Sequence, residues 1–153
     1  MVYADNWQIN GCPVNGPQLA AADGQVAAAW FTTENDQGVV RAAFLDPTTG
    51  AFGPPVRVDD GKPLGRVDVE FLDGKAYVTW IASGNNITEI HMRAIEPNGV
   101  RGPRLIVAAT SPERSSGFPR MVEHQGSLFL AWTEVGEPSQ VRTAVYSSTI
   151  GGE

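Results

Sequence analysis

The chain has 153 residues, 42% of them hydrophobic and 18% charged, which suits one compact domain with a sizeable core but not two independent ones. Seventeen Gly and eleven Pro favour turns over long helices and make all-β the leading class. Seventeen acids against eleven Lys and Arg give a net charge of -6, a sign that repels a phosphate backbone and argues against nucleic acid as a partner.

The chain opens on Met1-Val2-Tyr3-Ala4-Asp5-Asn6, with neither the basic start nor the apolar run of a secretory signal. The expected compartment is therefore the cytoplasm if the chain is complete, and outside it if the chain is a piece of a longer, exported precursor. The longest apolar stretches, such as Val26 to Phe31, fall far short of the roughly 20 residues that cross a bilayer, so no membrane partner is expected. Asp5 to Ile9 reads as a short strand. After it comes the lone cysteine, Cys12, which cannot form an internal disulfide and reads as a small buried hydrophobe. With two histidines in the whole sequence, no metal site and no cofactor is expected. The fold must hold by packing.

From residue 16 the sequence repeats about every fifty residues. Trp30, Trp80 and Trp132 are spaced by 50 and 52 residues, and six residues before each stands a glycine, Gly24, Gly74 and Gly126, preceded by Asp23, Asp73 and Gln125. Each pair reads as a tight hairpin turn. Before the turns lie short strands entered by glycine, at Gly16 to Leu19, Gly65 to Val69 and Gly117 to Met121. After them lie the apolar runs Gln25 to Trp30, Lys75 to Trp80 and Ser127 to Trp132, suited to strands covered on both faces. Third strands follow at Val40 to Leu45, Ile90 to Ile95 and Val141 to Tyr146. Fourth strands follow in the first two repeats only, at Gly53 to Val58 and Gly102 to Val107, where Pro54, Pro55 and Pro103 suit a sheet edge.

Four antiparallel strands per unit and a period near fifty mark a β-propeller, with blades at about 16-60, 65-109 and 117-149. The competing reading is a sandwich or meander, which has no reason to repeat a Gly-to-Trp offset three times. Three blades cannot close a ring without gaps that close-packed interiors do not tolerate. The expected remedy is a homodimer: two chains form a six-bladed ring, and strand 5-9 of each completes the third blade of its partner. The alternative is that the chain is half of a longer six-bladed protein.

The repeats resemble the sialidase-like, six-bladed propellers that carry neuraminidase or Asp-box repeats. The resemblance spans Asp5 to Tyr146 and is architectural. The family's Asp-box lies on the turn between third and fourth strands, where this chain has Asp46-Pro47-Thr48-Thr49-Gly50-Ala51-Phe52 and, in the second repeat, Glu96-Pro97-Asn98-Gly99. The resemblance implies a substrate carboxylate held by three arginines and a tyrosine nucleophile activated by glutamate, a departure from the usual carboxylate pair. That set is not found: the Arg-Ile-Pro signature is absent, Gly117-Phe118-Pro119-Arg120 is a distant echo, and neither Tyr77 nor Tyr146 stands in a nucleophile context. No catalytic residue is assigned.

First strands line the channel of a propeller, and Gln18, Asp68 and Arg120 stand six residues before their turn glycines. All three are expected to face it. One reading pairs Asp68 with Arg120 so that each satisfies the other. The functional reading has Arg66 and Arg120 hold an anionic ligand, such as a sugar carboxylate, at the mouth. His91 aligns with Arg41 and Arg142 and suits packing, and His124 falls near an exposed turn. Glu34, Asp36, Glu134 and Glu137 read as solvated rim acids. The resulting expectation is a non-catalytic propeller scaffold for ligand or protein binding, assembled as a dimer. Its alternative is a sialidase-like glycoside hydrolase with diverged catalytic residues, or a fragment of one.

Overall fold

A computed structural model describes residues 1-7, 15-84 and 86-148; Cys12, Gln8 and Ile9 lie outside them. The first three strands are β1 (Gln18–Ala22), β2 (Gln25–Glu34) and β3 (Gln37–Asp46), with the short β4 (Ala51–Phe52) and β5 (Val56–Arg57) following. The second repeat forms β6 (Pro63–Leu72), β7 (Lys75–Ser83), β8 (Thr88–Ile95) and β9 (Leu105–Thr110), and the third forms β10 (Arg120–His124), β11 (Ser127–Glu134) and β12 (Gln140–Ser147). All pairings between them are antiparallel, in three separate sheets.

The expected hairpins form for the expected reason. Asp23-Gly24, Asp73-Gly74 and Gln125-Gly126 have φ of 50° and 76°, 50° and 70°, and 50° and 74°. Positive φ at both central residues is the mirror-image turn whose twist matches its flanking strands. The Asp46 to Phe52 turn also acts as a turn-stabilising device. The Asp46 carboxylate accepts hydrogen bonds from the Thr48 N–H at 2.8 Å and the Thr49 hydroxyl at 3.0 Å, and these donors hold its pKa below the usual value.

Two details differ from the sequence expectation. The fourth strand of the first sheet is broken into β4 and β5, both paired with β3. Gly53-Pro54-Pro55 lies between them, where two prolines offer no N–H to a ladder. Asp5 to Trp7 is not in a strand. The Trp7 ring instead meets Phe31 of the same chain edge to face at 5.9 Å.

The sheets stack face on face. Ala20, Ala27, Ala29, Val40 and Ala42 of the first sheet meet Val67, Val69, Phe71, Val78 and Trp80 of the second in one buried cluster, small side chains against large ones. Leu72, Tyr77 and Met92 on the other side of the second sheet meet Met121, Leu128 and Leu130 of the third. Residues on either end of this stack fare differently. The outward face of the first sheet, Ala28, Trp30 and Ala43, is covered by Val2 and Phe52. On the third sheet Val122, Phe129, Val141 and Val145 are exposed, and β12 has no strand beyond it among the described residues.

Candidate functional site

The first strands β1, β6 and β10 lie at the inner edges of the three sheets, with β6 in contact with both of the others. Entry into β6 is irregular: its register with β7 shifts between Pro63 and Gly65 and again between Gly65 and Asp68. Gly65 and Arg66 take φ of 92° and 56°, and a Cβ at Gly65 would stand 2.5 Å from the Asn15 side-chain oxygen. That oxygen accepts the Arg66 N–H at 2.9 Å. A bulge of this kind re-aims the side chains that follow it, and the first of these to be charged is Asp68.

The Asp68 residue is 3% exposed. Its Oδ2 accepts the Met121 N–H of β10 at 2.8 Å, and its Oδ1 accepts its neighbour Val69 N–H at 3.1 Å. Arg120 Nε lies 3.4 Å from Asp68 Oδ2, and Arg120 Nη1 donates to Gln18 Oε1 at 3.2 Å. One residue from each sheet thus meets at one point, joined as one of the two sequence readings held. Burial pushes the Asp68 carboxyl above its usual pKa; the Met121 N–H, the Arg120 charge and the Val69 N–H oppose it without cancelling it. The Arg120 side chain is 60% exposed. Among the described residues its Nη2 has no protein partner, so a guanidinium anchored from below presents free donors to solvent.

Arg66 does not join this cluster. Its Nη2 donates to the carbonyls of Pro112 at 2.9 Å and Glu113 at 2.7 Å, and its Nη1 donates to the Ser116 hydroxyl. Arg66 therefore clasps the segment that links the second sheet to the third. Asn15 and Ser116, which hold its backbone and its tip, carry no signal of their own in the sequence. Thr79, cross-strand from Asp68, is buried with an unpartnered hydroxyl; it too was not legible beforehand.

Glu34 pairs with Arg41 and Glu134 with Arg142; Asp36 and Glu137 are exposed. His91 is buried, with Nε2 2.7 Å from Glu89 Oε2 and its ring edge on to Trp80. His124 is exposed beside Phe129. At the hairpin ends of the first strands, away from Arg120, a cavity of about 260 Å³ is lined by Asp23, Gln25, Asp73 and Glu123. Among the described residues no group of three His, Cys, Asp or Glu is placed to hold a metal, and no helix is long and apolar enough to cross a membrane.

The sequence matches no protein-family model and no curated protein. Its fold is similar to that in a crystal structure of a thermostable family-43 glycoside hydrolase, with a TM-score of 0.52 and 14% sequence identity. The match covers 88% of this chain and 51% of that one, so the chain spans about half the length of the structure it resembles. At this identity the likeness is one of fold: three antiparallel all-β sheets stacked as part of a propeller.

Proposed function

We propose that this chain is a ligand-binding propeller scaffold whose site is the Gln18–Asp68–Arg120 cluster, and whose ligand is a small anion or a carbohydrate bearing a carboxylate. The observation that carries the reading is the exposed Arg120 guanidinium, fixed by a buried carboxylate and an amide while keeping donors free. Such a group recognises a carboxylate through paired, charge-assisted hydrogen bonds. The runner-up, a sialidase-like glycoside hydrolase, gains from the fold shared with a family-43 enzyme. It is disfavoured because the resemblance implies three arginines and a tyrosine activated by glutamate, whereas this cluster brings together one arginine and one carboxylate, already paired with each other.

In the same proposal the working form is a sialidase-like, six-bladed ring of two copies. The bare face of the third sheet and the β12 edge, unpaired among the described residues, support it. Strand exchange would move the segment containing Trp7 from Phe31 to the partner's β12.

Calorimetric titration with N-acetylneuraminic acid and glucuronic acid, alongside a fluorogenic sialoside assay, tests the site. Binding that Arg120→Ala weakens at least tenfold, without turnover, supports the scaffold; turnover that Arg120→Ala abolishes supports the hydrolase. Neither binding nor turnover refutes both.

A further inference from the structure

The three tryptophans of the repeat occupy one structural position, and two of them say what that position is for. Trp80 packs from the second sheet against the first, in the cluster that holds Ala20, Ala27 and Val40. Trp132 packs from the third sheet against Leu72, Tyr77 and Met92 of the second. Each tryptophan therefore points at the sheet that precedes its own. Among the described residues Trp30 has no preceding sheet. It is nonetheless only 9% exposed, because Val2 and Phe52 join its cluster, the Tyr3 ring stands 6.3 Å away, and Tyr3 is held by the Arg41 guanidinium 5.6 Å from its centroid.

The opposite end of the stack has the converse defect. Tyr77 and Phe129 both stand three residues after the turn glycine of their repeat. Tyr77, 5% exposed, is covered by the third sheet. Phe129 is 40% exposed, in a cross-strand row with Val122 and Val145, which are 55% and 59% exposed. Among the described residues one face lacks a sheet before it and the other lacks a sheet after it.

We infer that the outward face of the first sheet, around Ala28, Trp30 and Ala43, is a docking surface for the third sheet of a second copy. Val2 and Tyr3 of the N-terminal segment, with Phe52 beside them, occupy that surface in the single chain. The inference rests on the two-copy reading above and adds a competition to it: docking and departure of the segment are one equilibrium. The pairing repeats the seam already present, where alanines of the first sheet meet larger side chains of its neighbour. Two such seams, each about three strands wide and eight residues long, bury on the order of 1,500 Å², within the range of stable protein interfaces. By contrast the segment covers the face with few side chains, Tyr3 being 46% exposed, so it is a cover that a whole sheet displaces.

The test uses the full chain and two variants, followed by sedimentation velocity over a concentration series, with near-ultraviolet circular dichroism to verify packing. The Val2→Ser/Tyr3→Ser double variant weakens the cover and should tighten dimerisation at least tenfold. Phe129→Asp places a charge on the exposed docking face and should abolish dimerisation while leaving the monomer folded. A wild-type dimer unchanged or weakened by Val2→Ser/Tyr3→Ser overturns the competition alone. Dimerisation that survives Phe129→Asp overturns the docking face. Monomers throughout, for all three proteins at every concentration, overturn the two-copy reading and the competition with it.

Discussion

Asp68 is buried as a hydrogen-bond acceptor first and as an ion-pair partner second, and two substitutions separate the roles. Asp68→Ala leaves the Met121 N–H, at a residue 8% exposed, and the Val69 N–H without their acceptor. Leaving a buried donor unsatisfied costs about 1–3 kcal/mol. Loss of the pair with Arg120, whose side chain is 60% exposed, adds at most about 1 kcal/mol because solvent screens it. Asp68→Ala should therefore destabilise by about 3 kcal/mol. Asp68→Asn keeps an oxygen for the Met121 N–H and removes the cost of burying a charge, so its loss should stay within about 1 kcal/mol. Urea unfolding at pH 7 measures the gap, a difference of about 2 kcal/mol between variants. pH supplies a second signature. The raised pKa means that the folded protein binds more protons than the unfolded one between 3.8 and the folded value. Wild-type stability should thus gain on Asp68→Asn as pH falls from neutral towards 3.8. Equal losses for Ala and Asn, with no pH-dependent divergence, would refute this account of Asp68.

Asp60 should behave in the opposite sense. Two hydrogen bonds from Arg93, at 2.9 and 2.6 Å, hold its carboxyl below the usual 3.8, so its contribution is present above 3.8 and is lost as pH falls further. Asp60→Asn should cost about 1 kcal/mol at neutral pH, the carboxylate being 41% exposed, and should flatten the acid limb of a stability–pH curve. Gly38→Ala should destabilise by about 1–3 kcal/mol in thermal unfolding, since its Cβ would stand 2.8 Å from both the Phe31 ring and the Pro63 carbonyl. No loss of stability there would contradict the packing of β3 against the start of β6.

Much of the fold was legible because the repeat is written in residues with backbone consequences. Asp23-Gly24 and Asp73-Gly74 tolerate positive φ at both residues better than most pairs do, and the offset from each turn to its tryptophan fixes which face of the second strand is which. The meeting of Gln18, Asp68 and Arg120 was legible for the same reason, since equal distance from the turn means equal depth along the first strand. The placement of Arg66 was not legible because its direction depends on a bulge, with a non-glycine residue at φ 56°, and on partners at Asn15 and Ser116 far off in sequence. The seat of Met1–Trp7 on Trp30 and Phe31 was hidden for a different reason. An aromatic segment outside the repeat carries no periodicity, and the sequence says only that Tyr3 and Trp7 need apolar cover, not whose.

Two copies completing one propeller is the proposal on which the docking surface depends, whereas the Gln18–Asp68–Arg120 cluster is formed within one chain. The mass of the chain in solution, by light scattering coupled to size exclusion at micromolar and higher concentration, tests it most directly. The account predicts a species of twice the 16.3 kDa of one chain, approached as concentration rises. A folded species that stays at 16.3 kDa at every concentration would contradict it.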